Sequence, residues 1–250
     1  SYTYCGGDPV NRIDPTGCAD FFLEGKYCGT DGIEDGRLFI IKTKETTFSD
    51  GNITVAGAGY KGMKELSEGI EANSNKPEWF KNNNVYDNCV EIQYSKDQRE
   101  QIYNYCLNDD GSGGTAEKNN QEYGGYFKNG KLKTVMSKVA NPMIQNTITM
   151  TIEYDGPTFH THPSGTYPPL NTANRARTGS HSTIGMGKPQ THHFSQLPSD
   201  IDLMNAGNNI NLLIQRGSSS NKVLFYNSSG VQATMPLKYF VNPKIPKKKK

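Results

Sequence analysis

The stretch TFHTHPSG, residues 158–165, decides how this chain is read. Side chains in a strand repeat with a period of two, so His160 and His162 project from the same face of an extended segment. Both imidazoles can then reach one metal ion. Pro163 has no N–H for a sheet ladder and a fixed φ, so the strand is expected to stop there and leave the pair at its exposed end. An isolated H-x-H is ordinary polar surface in most chains. Here all five histidines of the 250 residues, His160, His162, His181, His192 and His193, fall in one short window, which favours a site.

Working outward, LPSDIDLMNAG places Ser199 and Asp202 one helical turn apart, with Ser199 set to cap the helix and Asp202 on its first turn. Two imidazoles and a carboxylate leave a fourth position open, the usual make-up of a catalytic rather than a structural zinc centre. Upstream, SKDQREQIYNYCLNDD opens at Ser95 with a capping box completed by Gln98, and Ile102, Tyr105 and Cys106 share one face, which predicts a helix. QEYGGYFKNGKLKTVMSKV then predicts a hairpin turning at Asn129-Gly130. Glu122 stands at the start of its first strand, ahead of two glycines that let a neighbouring segment approach closely. Glu117, in a predicted loop, and Glu153, just ahead of the histidines, are the competing carboxylates. INLLIQ and KVLFYNSSG read as two closing strands.

Glu122, then HTHPSG, then Ser199-x-x-Asp202 resembles the signature of the JAB/JAMM metalloprotease family: a glutamate early in a strand, H-x-H-P, then S-x-x-D. The resemblance spans about residues 95–230. It implies an α+β, sandwich-like fold with a JAB/MPN-like mixed β-sheet flanked by helices, here with a β-rich N-terminal extension and a long loop insertion. By the same resemblance His160, His162 and Asp202 would bind Zn2+, Glu122 would take a proton from the attacking water, and Ser199 would hydrogen-bond the developing oxyanion. Ser199 lies 37 residues beyond His162, farther than is usual in the family. Residues 166–197 are therefore expected to be an insertion, and their Pro, Ser, Thr and Gly content suggests a mobile flap. His181, His192 and His193 within it have three readings: a further zinc ligand, a substrate contact, or flap surface. Between the glutamate hairpin and the histidine strand the pattern is β, with no obvious helix.

Residues 1–17, SYTYCGGDPVNRIDPTG, hold two D-P turns and could not form a core of their own. They resemble the end of the Rhs/YD-repeat shell that precedes a variable C-terminal toxin. Asp8 and Asp14 match its aspartates, without any catalysis being assigned to them; on its own the stretch is a leader with turns. Together the two resemblances point to the JAB-like toxin domains of polymorphic toxins. They imply a peptidase or isopeptidase exported with an Rhs shell, acting on a target protein in the cytoplasm of a recipient cell, and held in check by a cognate immunity protein.

The rest of the chain is less informative. Residues 18–94 read as a β-rich and loop extension in which 21–28 and 37–43 form a hairpin across a solvated turn carrying Asp31, Glu34 and Asp35. From 49 to 84 a loop region is expected, with Gly57, Gly59 and Gly62 as loop residues and Trp79 and Phe80 as its anchors. The metalloprotease domain would span 95–235, and 236–250 would be a basic flexible tail. Net charge is +2, with most of the excess in PKIPKKKK. A hydrophobic fraction of 34% with 26 Gly predicts a modest core. No stretch approaches the ~20 apolar residues that span a bilayer, so no membrane partner is expected. The five cysteines lack C-x-x-C spacing and read as mostly reduced thiols. Neither H-E-x-x-H nor H-x-E with P-C-x-x-C is present, which excludes thermolysin-like and cytidine-deaminase chemistry. Two alternatives stay open: a metal-dependent nuclease using the histidine cluster and the basic tail, and a non-catalytic JAB-like binding module.

Overall fold

A computed structural model describes residues 18–43, 45–47, 53–55, 59–139, 150–167, 192–217 and 221–246. The expected leader at 1–17, Cys5, the insertion from 168 to 191 with His181, and residues 247–250 lie outside the described residues, as do the side chains of His192 and His193.

In chain order the N-terminal part forms β1 (Asp20–Leu23), β2 (Lys26–Thr30), β3 (Leu38–Ile41), β4 (Glu45–Thr47), β5 (Ile53–Val55), α1 (Gly59–Ala72), α2 (Pro77–Asn82) and β6 (Cys89–Glu91). Then come α3 (Lys96–Cys106), β7 (Tyr123–Lys128), β8 (Lys131–Met136), β9 (Thr158–His162) and β10 (Thr166–Tyr167). The C-terminal part holds β11 (His192–His193), α4 (Asp200–Ala206), β12 (Asn211–Gln215), β13 (Lys222–Asn227), β14 (Gly230–Pro236) and α5 (Leu237–Val241).

These elements make an α+β fold. Among the described residues, eight strands form one mixed sheet in the order β5-β4-β14-β13-β12-β9-β7-β8, four form a second sheet in the order β2-β1-β3-β6, and β10 pairs with β11. The histidine strand β9 is central in the large sheet, parallel to β12 and antiparallel to β7. A parallel pair needs a crossover connection, and α4 lies within the one that joins β9 to β12.

The alternation of side chains assigns each face of the sheets. Phe159, Leu212, Ile214, Val223 and Phe225 face the main core, where they meet Ile102 and Cys106 of α3, Phe240 of α5, and Phe22, Leu38 and Ile40 of the small sheet. Phe21, Phe39 and Ile41 point the other way and pack with Ile70 of α1 and Phe80 of α2. The small sheet is thus buried on both faces. On the far side of the large sheet, Leu213, Leu224 and Tyr226 pack against Ala206 and Leu203 of α4. His160 and His162 share that face, because they alternate with Phe159, which is committed to the core, and His160 pairs with Leu213.

Several expectations are corrected. The segment 21–28 is not one strand: it folds on itself at Glu24-Gly25, both at positive φ, so that β1 pairs with β2, and β3 lies parallel to β1 instead of closing a hairpin with it. Residues 59–72 and 77–82 are helical rather than loop. Met63, Leu66 and Ile70 recur at helical spacing toward the second core, but Gly59 and Gly62 mask the pattern, since each glycine weakens a helix by about 1 kcal/mol. Phe80 does anchor the region, and Pro77 opens α2 at a position where its missing N–H does no harm. Asp31 is fully buried, not solvated; the Tyr86 hydroxyl and the Ile33 N–H donate to its carboxylate. Burial raises its pKa, against the pull of those donors. The stretch after 235 begins with α5, whose Leu237, Phe240 and Val241 are buried, rather than with a free tail. A third closing strand, β14, joins the expected two and carries β4 of the extension at its edge.

The hairpin at Asn129-Gly130 has the expected turn, with φ of 53° and 72°. Gly124 and Gly125 serve the expected close approach: a Cβ at Gly124 would stand 2.6 Å from the Phe159 carbonyl oxygen, and one at Gly125 2.1 Å from that of Lys133. Replacing Gly124 by Ala should therefore push β7 away from β9. We expect a loss of about 1–3 kcal/mol in urea denaturation, with the urea midpoint lowered relative to wild type.

Candidate metal centre

Three elements bring the centre together. β9 presents His160 and His162 from the face shared with Leu213 and Tyr226, and the His160 ring meets the Tyr226 ring edge-on at 6.1 Å. Just past the strand, the Ser164 N–H and hydroxyl both donate to the buried carboxylate of Asp109, whose own carbonyl accepts from Arg216 Nε at 2.9 Å. The end of the histidine strand is thereby tied to the loop after α3 and to the end of β12.

The segment that returns from the insertion orients the second ring. His162 Nδ1 lies 2.8 Å from the Ser195 carbonyl oxygen, which can only accept, so Nδ1 carries the hydrogen and a neutral ring keeps its lone pair on Nε2. Gln196 fixes this segment by donating to the Pro163 carbonyl and by accepting from the Arg216 N–H. Of the expected flap, residues 166–167 and 192–197 are described, and the latter segment is thus anchored to the site, with Phe194 buried.

Asp202 comes from α4, and the capping box of that helix aims it. The Ser199 hydroxyl accepts from the Asp202 N–H at 3.2 Å, while the Ser199 N–H and hydroxyl donate to Asp202 Oδ2, each at 2.7 Å. Both donors fall on one carboxylate oxygen and leave Oδ1 toward His160. The Ser199 hydroxyl is thus engaged with Asp202 and positions that carboxylate; the expected contact with a substrate oxygen would require it to leave this partner.

The donor atoms stand where one ion needs them. His160 Nε2 and His162 Nε2 are 3.3 Å apart, His160 Nε2 is 3.4 Å from Asp202 Oδ1, and His162 Nε2 is 3.3 Å from Asp202 Oδ2. A tetrahedral zinc ion with ligands at ~2.0–2.1 Å spaces those ligands about 3.3–3.4 Å apart. The donor types fit zinc, and so does the spacing of the two nitrogens, while each imidazole stands nearest a different oxygen of the Asp202 carboxylate. Among the described residues this is the one group of three such side chains able to hold a metal ion. The four described cysteines, Cys18, Cys28, Cys89 and Cys106, are buried and not part of it.

Glu122 completes the arrangement. It sits one residue ahead of β7, its N–H taken by the Ser137 hydroxyl and its carbonyl by the Ser137 N–H, which fixes the backbone. Its side chain is buried, with Oε1 4.0 Å from His162 Nε2. The carboxylate thus stands beside the ligand set without entering it. The structure gives Glu117 and Glu153 no such place: Glu117 lies in a separate helical turn at 117–120, and Glu153 is exposed in the wall of the adjoining groove.

Burial and charge act in opposite directions here. Desolvation pushes the Glu122 carboxyl above its ordinary range, opposed by His162 and His160. Desolvation would also raise Asp202, but hydrogen bonds and charge from the two imidazoles overcome it and hold its carboxyl well below the usual range. For His162 burial lowers the pKa, and the Asp202 contact, aided by Glu122 and the Ser195 carbonyl, turns the net shift upward. The groove that opens from the centre encloses ≈ 530 Å³ between residues 150–156 and α4, with His160, Glu122 and Asp202 at its inner end and Tyr226 in its lining.

Asp109, the Ser195 carbonyl and Tyr226 were not singled out from sequence. NDDGSGG carries an Asx-turn signal that could have marked Asp109, whose Oδ1 accepts from the Gly111 N–H. A backbone carbonyl leaves no such trace. No protein-family model, curated protein or solved structure matches the chain.

Two outcomes are expected. The protein should bind one equivalent of zinc; His160→Ala or Asp202→Ala should abolish that binding, and Ser199→Ala should weaken it about 10–100-fold, as loss of an orienting partner does, all read by chelator competition. The pH response should differ with and without zinc. His162 in the metal-stripped protein has a raised pKa, so its contribution to stability is present below 6.5 and is lost as the pH rises through the raised value. Zinc binding needs the deprotonated ring and should tighten over that same rise. Asp202, held low, contributes above ~3.9 and loses that contribution as acid titrates it. Thermal melts from pH 5 to 9, stripped and zinc-loaded, should therefore diverge as the pH rises.

Proposed function

We propose that this chain is a zinc-dependent peptidase or isopeptidase of the JAB/JAMM type, hydrolysing an amide bond in a polypeptide. The observation that carries the reading is the convergence of His160, His162 and Asp202 within reach of one ion, with the buried Glu122 carboxylate beside them. The order of elements supports the JAB/MPN-like assignment: α3, the glutamate hairpin, the histidine strand, α4 and the closing strands follow the order the signature implies.

When bound, zinc supplies a Lewis acid for the scissile carbonyl and a place where water ionises near neutral pH. The residues of the chain do the rest. His160, His162 and Asp202 hold the ion, and the capping box and the Ser195 carbonyl keep two of these ligands in one orientation. Glu122, desolvated and raised in pKa, is suited to accept a proton from the attacking water and to return it to the leaving amine. The Tyr226 ring walls the centre on one side, and the groove gives a substrate chain a path to it.

The biological setting is part of the same proposal. The D-P leader supports a place at the end of an Rhs-type polypeptide, with a target protein in a recipient cell and an immunity protein that covers the groove. Glu122→Gln should lower turnover by about 10²–10⁴-fold while zinc content and melting temperature stay near wild type. Expression of wild type, but not of Glu122→Gln or His160→Ala, should arrest growth and create new protein N-termini detectable by proteomics. A folded, zinc-loaded Glu122→Gln variant that remained fully toxic would contradict the reading.

A further inference from the structure

The groove carries charge beyond the reacting groups. Four carboxylates line it, Glu122 and Asp202 at its inner end and Glu153 and Asp155 along its outer wall, and among its described lining residues there is no Lys or Arg. A divalent ion balances the inner two. The outer pair then remains as net negative charge, exposed beside the path to the centre.

That outer wall is built rather than loose. Residues 151–155 alternate between exposed and half-buried: Thr151, Glu153 and Asp155 are exposed, Ile152 and Tyr154 half-buried, and all five line the groove. The Tyr154 ring stacks on Tyr126 at 4.2 Å, and its hydroxyl donates to the Phe127 carbonyl. Across the groove, Asn209 Nδ2 donates to the Asp155 carbonyl at 2.7 Å, tying the wall to the loop after α4. Ile152 and Ile201 add apolar surface to the lining, suited to the aliphatic stem of a long basic side chain whose head reaches the carboxylates.

We propose that this groove selects a polypeptide segment bearing Lys or Arg next to the bond presented to the centre, with Glu153 and Asp155 as the specificity-determining residues. The proposal rests on the peptidase reading above and names its substrate class. It also turns away polyanions, since phosphates would meet carboxylates along the whole approach.

The test separates binding from hydrolysis. Zinc-loaded Glu122→Gln is titrated with two fluorescein-labelled ten-residue Gly/Ser peptides, one with a central Lys-Arg pair and one with a central Glu-Asp pair, and with a single-stranded oligonucleotide of similar length. The Lys-Arg peptide should bind about fivefold more tightly, as two exposed ion pairs allow, with the margin shrinking at high salt. Reversing the wall in the same background with Glu153→Lys and Asp155→Lys should invert the order. Equal binding of the two peptides, an order unchanged by the reversal, or tighter binding of the oligonucleotide would overturn the proposal. Wild-type cleavage of both peptides at equal rates would sink the selectivity and leave the peptidase reading standing. Selective binding of the Lys-Arg peptide with no cleavage by wild type would sink the peptidase reading and leave the groove assignment standing.

Discussion

Two imidazoles and one carboxylate cannot be brought within 3.4 Å of each other in a protein interior without something to hold them there, and much of the surrounding structure supplies that hold. Burying such groups is unfavourable unless hydrogen bonds or charge compensate. Here the strand period puts both rings on one face, the Ser195 carbonyl orients one of them, and a capping box turns Asp202 toward the pair. Each device is local and inexpensive. Their combination is what makes a site.

The sheet gives these devices a rigid base. β9 lies between β7 and β12, so the strand that bears the rings cannot shift without breaking a ladder on either side. Gly124 lets β7 approach His160 closely, which also sets the distance of Glu122 from the ligands. Asp109 extends the support into the loop after α3, where its buried carboxylate holds Ser164 and its carbonyl holds Arg216. The N-terminal extension contributes as well: Phe22, Leu38 and Ile40 belong to the same core as Phe159, so the layer beneath the histidine strand is built partly from residues far upstream.

What was legible in the sequence was whatever has a short period or a local partner. The H-x-H pair, the capping box at Ser95, the Ser199 cap and the Asn129-Gly130 turn all follow from interactions within a few residues, and the structure has each of them. The helix α1 was not legible, because its glycines cancel the propensity that its Met63, Leu66 and Ile70 stripe implies, and packing against β2 decides the matter. The parallel pairing of β1 with β3 was hidden for a related reason: it depends on a tight turn at Glu24-Gly25 that divides an apparently continuous strand. Asp31 looked like a solvated turn residue and is buried against Tyr86, a partner 55 positions away. Within the site, the ligands were visible as residue types. The hold of Ser199 on the Asp202 side chain was not, since only the structure shows the hydroxyl against that carboxylate.

The central proposal is that His160, His162 and Asp202 would hold a single zinc ion, with nitrogen and oxygen donors alone. X-ray absorption spectroscopy of the zinc-loaded protein tests it most directly. The account predicts a first shell of nitrogen and oxygen at about 2.0–2.1 Å, with the outer-shell scattering of two imidazoles. A sulfur shell near 2.3 Å, or zinc with no imidazole signature, would contradict it.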